Sequence, residues 1–211
     1  MLKRTAIALL AAILLVIPAG AATRRPSFME SVRPLQTVNP MTGIYRNICT
    51  TTSINKDKHY WLTAEHCVAG GREIFVEGHK AYVVKESAEA DIAVIAVPGM
   101  TVKGLKMQPR ESRWGQRIQM AGHPFGYDSA FLVKGWVSNP SGYIGPVYPY
   151  DKEYMLMNIS CAGGNSGSSV LNLKGEVVSV LQVGWGNGFS PVCGGATFSD
   201  LVKVAWKYFK E

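Results

Sequence analysis

The sequence predicts an all-β protein, a barrel or sandwich carrying one helix at its C-terminal end. Three observations lead there. From Ile44 onward the chain is a series of short apolar runs of strand length, separated by Gly, Pro, Asn and Asp. A helical period is convincing only after Ser199. No internal repeat or low-complexity tract interrupts this pattern.

Taken in order, residues 23 to about 40 are rich in Arg, Pro and Ser and lack periodicity, so they read as a pro-segment or a loosely held arm. The predicted strands are Arg46–Ile54, Tyr60–Thr63, Glu73–Val76, Lys80–Val84, Ile92–Val97, Arg117–Ala121, Phe131–Val137, Tyr154–Ile159, Ser168–Asn172, Val177–Val183 and Ala196–Phe198. Turns fall at Glu77-Gly78, Lys174-Gly175 and Gly186-Asn-Gly188. Asn139–Asp151, with three prolines and two glycines, reads as a surface loop. In the helix, 199–210, Ser199 and Asp200 suit the N-cap and first turn. Leu201, Val204, Ala205, Tyr208 and Phe209 make one apolar stripe, and Lys207 and Lys210 suit the C-terminal end.

The N-terminus has its own layout. Met1-Leu-Lys-Arg4 is basic, Thr5 to Ile17 is apolar, and Pro18-Ala-Gly-Ala-Ala22 is small, the order of a secretory signal peptide over 1–22. The competing reading is an uncleaved anchor, because Thr5 to Ala22 carries no charge and reaches the length of a span. Pro18 and Gly20 break the helix where an anchor would continue. Cleavage near Ala21 or Ala22 leaves about 190 residues, enough for one sizeable core or two small ones packed together. The formal charge of +7 then loses Lys3 and Arg4. Lys/Arg runs do not exceed the pairs Lys3-Arg4 and Arg24-Arg25, and no aromatic residues interleave with basic ones. The footprint of nucleic-acid binding is missing.

The four cysteines of an exported chain favour disulfides. Of three pairings, Cys49 with Cys67 and Cys161 with Cys193 close short loops within each half. No Cys-x-x-Cys pair or zinc-module spacing occurs, so neither a metal nor a cofactor is expected.

Chemistry concentrates in Cys161-Ala-Gly-Gly-Asn-Ser-Gly-Ser-Ser-Val170, which follows the apolar run Tyr154 to Ile159. A serine hydroxyl needs a neighbouring base, and the carbonyl oxygen it generates as an anion needs amide donors. The glycine-rich turn can supply the donors. The base must be one of His59, His66, His79 and His123, all of which precede Ser166. A Ser-Asp-His order, as in α/β-hydrolases, is thereby excluded, and Ser168 stands where that elbow has glycine. His59 and His79, beside Lys58 and Lys80, read as exposed loop residues, and His123 in Gly122-His-Pro-Phe-Gly126 as a structural turn residue. His66 differs. It ends an apolar strand in Trp61-Leu-Thr-Ala-Glu-His-Cys-Val68, and the adjacent Cys67 can tether it. Asp91, at the mouth of Asp91-Ile-Ala-Val-Ile-Ala-Val97, is costly to bury unless paired, and the imidazole of His66 is a suitable partner. Asp57, Asp128, Asp151 and Asp200 lie in loops or at a helix start. An Asp57–His66–Ser166 order is formally open but lacks the strand and glycine contexts of a subtilisin-like fold.

The order His66, Asp91, Ser166, in the contexts Thr-Ala-Glu-His-Cys, Asp-Ile-Ala-Val and Gly-Asn-Ser-Gly-Ser, resembles the chymotrypsin/trypsin-like serine proteases over about residues 42 to 209. Gly-Asn-Ser-Gly-Ser, Leu171-Asn-Leu-Lys-Gly-Glu-Val-Val178 and Gly195-Ala-Thr-Phe198 resemble the bacterial glutamyl endopeptidase and periplasmic heat-shock protease branches. The resemblance implies two perpendicular six-stranded antiparallel β-barrels, about 42–110 and 111–198, with the C-terminal helix completing a protease domain over 42–211. It implies Ser166 as nucleophile, His66 as base, Asp91 as its orienting acid, and the Gly164 and Ser166 amides as the oxyanion hole.

Gly184-Trp-Gly186 resembles the strand that binds substrate backbone, and Ser160 is the pocket-floor candidate. Glutamyl endopeptidases place a histidine where Gly184 stands, and no aspartate marks a trypsin-like pocket, so the expected pocket is neutral and suited to apolar or aromatic side chains. Trypsin-type activation pairs a freed N-terminal ammonium with an aspartate before the nucleophile. Here that neighbour is the neutral Asn165. Activity is therefore expected to survive N-terminal acetylation, and loss on acetylation contradicts this. The expectation is a secreted or periplasmic monomeric endopeptidase with a polypeptide substrate, no nucleic-acid partner and no stable membrane association after signal cleavage. The alternatives are a catalytically idle binding protein of the same fold and the same protease kept membrane-anchored.

Overall fold

The computed structural model describes residues 25–144, 151–185 and 188–209. The predicted signal peptide and the first two residues of the predicted Gly186-Asn-Gly188 turn lie outside these residues. Twelve strands build two closed antiparallel barrels. The first contains β1 (Val32–Val38), β2 (Tyr45–Asn55), β3 (Tyr60–Thr63), β4 (Ile74–Val76), β5 (His79–Ser87) and β6 (Ile92–Ala96), in the closed order β1-β2-β3-β6-β5-β4. The second contains β7 (Arg117–Gly122), β8 (Phe131–Tyr143), β9 (Glu153–Cys161), β10 (Ser169–Asn172), β11 (Val177–Gly184) and β12 (Ser190–Gly195), in the order β10-β11-β12-β9-β8-β7.

The unbroken apolar run at Ile92 follows from burial on both faces of the strand. Successive strand residues face opposite ways. Ala93 and Ile95 join Trp61, Leu35 and Val76 inside the first barrel. Ile92 and Val94 instead join Leu62, Leu171, Val177 and Val180 in a core shared with the second barrel. The second barrel is filled by Ile118, Met120, Val137, Met155, Met157 and Ile159. Each such side chain, fully buried, contributes about 1.5–3 kcal/mol. The shared core fixes the two barrels against each other, and the predicted site residues are divided between them.

Four expectations are corrected. The stretch 23–41, expected as a pro-segment or arm, supplies a short 3-10 turn at Ser27–Ser31 and then β1, which closes the first barrel between β2 and β4. Asn139–Asp151 is not all loop, because β8 runs on to Tyr143. Its register on β9 slips between Val137 and Asn139 and again between Asn139 and Gly142, so Pro140 sits in a bulge that tolerates it. The last strand is Ser190–Gly195, and not Ala196–Phe198, which leads into the helix.

The single predicted helix is two short ones, α1 (Phe198–Val204) and α2 (Trp206–Phe209), broken at Ala205. Its N-cap is Thr197, whose hydroxyl accepts from the Asp200 N–H while the Asp200 carboxylate accepts from the Thr197 N–H. Leu201, Val204 and Tyr208 face the shared core as the stripe required, and Tyr208 meets Tyr60 edge-on at 5.2 Å. Among the described residues no helix is long and apolar enough to cross a membrane.

Both predicted disulfides form. Cys49–Cys67 and Cys161–Cys193 span sequence separations of 18 and 32 residues. Closing loops of this size restricts the unfolded chain by about 3–4 kcal/mol each in the chain-entropy picture.

Candidate active site

His66 sits on a single 3-10 turn, Glu65–Cys67, directly after β3. The turn is anchored twice. Cys67 is bonded to Cys49 of β2, and the His66 backbone N–H donates to Asp91 Oδ1 at 3.0 Å. Asp91 lies just before β6, with its side chain only 3% exposed. The His66 Nδ1–H donates to the same carboxylate, 2.9 Å from Oδ2 and 3.0 Å from Oδ1. A carboxylate only accepts, so this contact fixes the proton on Nδ1 and leaves Nε2 as a base. The His66 side chain remains 34% exposed and lines a cavity of about 430 Å³. Glu65, beside it, is held above the ordinary carboxylate range, first by burial and then by the negative charges of Asp91 and Glu86.

Ser166 lines the same cavity from the second barrel. It stands on a tight turn held by Asn165 N–H to Ala162 O at 3.0 Å and Ser168 N–H to Asn165 O at 2.9 Å. β11 secures the turn with Gly167 N–H to Leu181 O at 2.8 Å. Strand β2 of the first barrel secures it from the other side. The Thr50 N–H donates to Ser166 O at 2.8 Å and the Thr50 hydroxyl to Gly164 O at 2.9 Å. His66 and Ser166 therefore line one cavity from the two barrels, with Asp91 behind His66. No hydrogen bond joins Ser166 Oγ to His66 among the described residues, and such bonds commonly tighten only when substrate is bound.

The predicted amide donors have suitable surroundings. Neither the Gly164 nor the Ser166 N–H donates to a backbone carbonyl among the described residues. The Gly163 carbonyl accepts from the Phe125 N–H at 2.6 Å. In a trans peptide the N–H of Gly164 points opposite to that carbonyl, so the bond to Phe125 fixes its direction. Gly164 has φ +91°, a conformation suited to glycine. Asn165 is 3% exposed, and its Oδ1 has no hydrogen-bond partner. It brings no charge into the position behind the nucleophile.

The substrate-side residues need correction. Gly184 lines the cavity, but Trp185 turns away to meet Tyr154 edge-on, and Gly186 lies outside the described residues. Leu181, Gln182 and Val183, immediately before Gly184, line the wall with it. Ser160 is exposed on β9 because its neighbours Ile159 and Cys161 face the core, and it does not line the cavity. Ser190, which pairs with Cys161 across the strands, lines it in that region. Gln182 shares its strand with a second polar residue, Ser179, and so did not stand out. No sequence signal marked Thr50 or Ser190.

The other histidines lie elsewhere. His59 sits in the turn between β2 and β3, its Nδ1 3.0 Å from Met100 O, and His79 begins β5. His123 is buried at the start of the turn Pro124–Gly126. It is 3% exposed, its Nδ1 contacts Tyr127 O at 2.9 Å and its Nε2 has no partner. Burial lowers its pKa from 6.5. The unfolded chain then binds a proton that the folded chain refuses, so stability falls as pH drops below about 6.5 until folded His123 itself protonates. Thermal midpoints measured from pH 8 to pH 5 should show a decline that is shallower in His123→Asn, which keeps a donor for Tyr127. An unchanged slope contradicts this assignment.

Cys49, His66 and Cys67 bring ligand atoms within 4.8 Å of one another. Both sulfurs are committed to one disulfide, so the cluster offers no thiolate to a metal.

Residues 43–180 match the sequence model described as a trypsin-like peptidase domain. The chain is similar to a probable periplasmic serine endoprotease DegP-like of Pseudomonas putida, 31% identical over 163 residues, covering 72% of this chain and 33% of that protein. It is 29% identical over 133 residues to the protein of the same description from Hahella chejuensis, covering 60% and 28%. The chain thus spans about a third of the length of the curated relatives it matches. Among solved structures, the HtrA-type protease AlgW with tripeptide superposes with a TM-score of 0.71 at 18% identity, over 87% of this chain and 62% of that one. The active form of the Rv3671c protease from M. tuberculosis gives 0.67 at 19%, over 83% and 79%. At these identities the structures speak to the fold.

Proposed function

Because this chain belongs to the trypsin-like peptidase domain family, we propose that it is an exported serine endopeptidase that hydrolyses peptide bonds through an acyl-enzyme. The observation that carries the reading is the His66 Nδ1 to Asp91 bond at 2.9 Å behind a cavity that His66 shares with Ser166. Ser166 Oγ attacks the peptide carbonyl as His66 Nε2 takes its proton. The resulting oxyanion is met by the Gly164 and Ser166 amides. His66 then protonates the leaving amine, and a water repeats the sequence in reverse to free the acid and regenerate Ser166. Asp91 holds the imidazole and stabilises its cation throughout. Export is supported by the basic, apolar and small-residue order of residues 1–22 and by the periplasmic designation of the relatives.

Beside His66 and Ser166 the cavity is lined by Leu181, Gln182, Val183, Gly184, Ser190 and Cys161, with no acidic or Lys/Arg side chain among the described residues. An uncharged, apolar substrate side chain fits it, since a charged one would be desolvated there without a partner. Cleavage of a peptide library by the purified mature protein tests both points. Cuts after apolar residues support the reading. Cuts confined to charged residues contradict the pocket, and binding without cleavage supports the idle binding protein.

A further inference from the structure

The turn that carries Asp91 is buried and held in an unfavourable backbone conformation. Asp91 has φ +49°, in the left-handed region. For a residue other than glycine this is unfavourable and persists only where the surroundings enforce it. The turn itself supplies a weak bond, Asp91 N–H to Ala88 O at 3.2 Å. Ala90 and Asp91 are each 2% exposed, so their carbonyls need donors from the protein.

Those donors come from the other barrel. Gln182 of β11, 5% exposed, donates from Nε2 to Ala90 O at 2.7 Å and to Asp91 O at 2.9 Å. Lys152, immediately before β9, donates from Nζ to Ala90 O at 2.8 Å and to Gln182 Oε1 at 2.9 Å. The ammonium also lies 5.0 Å from the centre of the Tyr154 ring. An amide has one accepting and one donating end. With Oε1 taken by the lysine, the NH₂ of Gln182 must face the two carbonyls. Lys152 therefore sets the direction of Gln182 as well as binding the turn itself.

We propose that Lys152 is a positioning residue for Asp91, locking the strained turn of the first barrel to β11 of the second and so fixing the carboxylate against His66. The proposal rests on the protease reading above. Lys152 forms no salt bridge among the described residues. Burial lowers its pKa, opposed by the charges of Asp200, Asp91 and Glu89. A half-buried ammonium is costly, and here it is spent on main-chain carbonyls beside the site.

The test uses the full mature protein and compares Lys152→Met with Lys152→Arg. The methionine keeps the apolar stem and removes the donor. Its kcat is expected to fall about tenfold to a hundredfold, the scale of a small misplacement of reacting groups, with KM within about twofold. The low-field proton resonance of the His66–Asp91 hydrogen bond should broaden or shift. Lys152→Arg should restore most of both. If near-UV circular dichroism shows that the methionine variant does not fold, Lys152→Gln, uncharged and shorter, is read in the same way. Unchanged kcat and an unchanged resonance in the neutral variant overturn the proposal. A wild-type protein without peptidase activity overturns the protease reading instead, and the resonance still reports whether Lys152 orders the pair.

Discussion

Ser166→Ala is expected to lower turnover by roughly 10⁴-fold or more while leaving the fold intact. The size follows from the proposed triad acting as a unit: without the hydroxyl there is no acyl-enzyme, and His66 has no proton to move. His66→Ala should cost about as much, and the double variant little more. Intact folding is expected because the Ser166 side chain does no structural work. Its backbone carbonyl, not its Oγ, accepts the bond from Thr50. A truncation of this kind usually changes stability by less than about 0.5 kcal/mol. Cleavage of a good peptide by wild type and variant, with thermal unfolding as control, checks both parts. Full activity in Ser166→Ala removes the serine from the mechanism.

Gly167→Ala should be the most damaging methyl group that can be added near the site. Gly167 has φ +84°, which by itself costs an alanine about 1–3 kcal/mol. Space is the larger obstacle. A Cβ there would lie 2.3 Å from Thr50 O, 2.2 Å from Thr63 Oγ1 and 2.9 Å from Ala64 N. Two of those atoms are backbone and cannot swing away. The turn must move, and it carries Ser166 on one side and the Gly164 amide just beyond. Displacement by about 1 Å costs on the order of a hundredfold in rate. Activity should therefore fall by at least that much, together with a lower thermal midpoint. A variant with wild-type activity and stability contradicts the account of the turn.

The legibility of the sequence varied for physical reasons. Ten of the predicted strands were found because their apolar runs are long and their turns are marked, as at Glu77-Gly78, where both residues have positive φ. β1 was hidden by Arg33 and Pro34. The proline is tolerated because β4 pairs only with Leu35, Gln36 and Thr37, so the strand neighbour on that side has ended before Pro34. β12, Ser-Pro-Val-Cys-Gly-Gly, has the composition of a loop. Its glycines are there for contact: a Cβ on Gly195 would meet Ser179 Oγ at 2.3 Å and Val180 O at 2.7 Å.

The proposed site divides in the same way. His66, Asp91 and Ser166 stood out because each sits in a distinctive local context. The residues that hold them did not. Thr50, Gln182 and Lys152 act across the interface between barrels, at separations of 114 residues for Thr50 to Gly164 and 62 for Lys152 to Ala90. Local pattern carries no record of such contacts. The wall of the cavity was legible only in part: Gly184 lines it, and so do Leu181, Gln182 and Val183 before it.

The most direct test of the central claim is covalent labelling of the mature protein with a peptidyl organophosphonate, followed by mass mapping of the adduct. Such a reagent reacts with a serine only when a base and an oxyanion site activate it. One adduct is expected, on Ser166, lost in His66→Ala although Ser166 is still present. No adduct on Ser166, or an adduct of undiminished rate in His66→Ala, would contradict it.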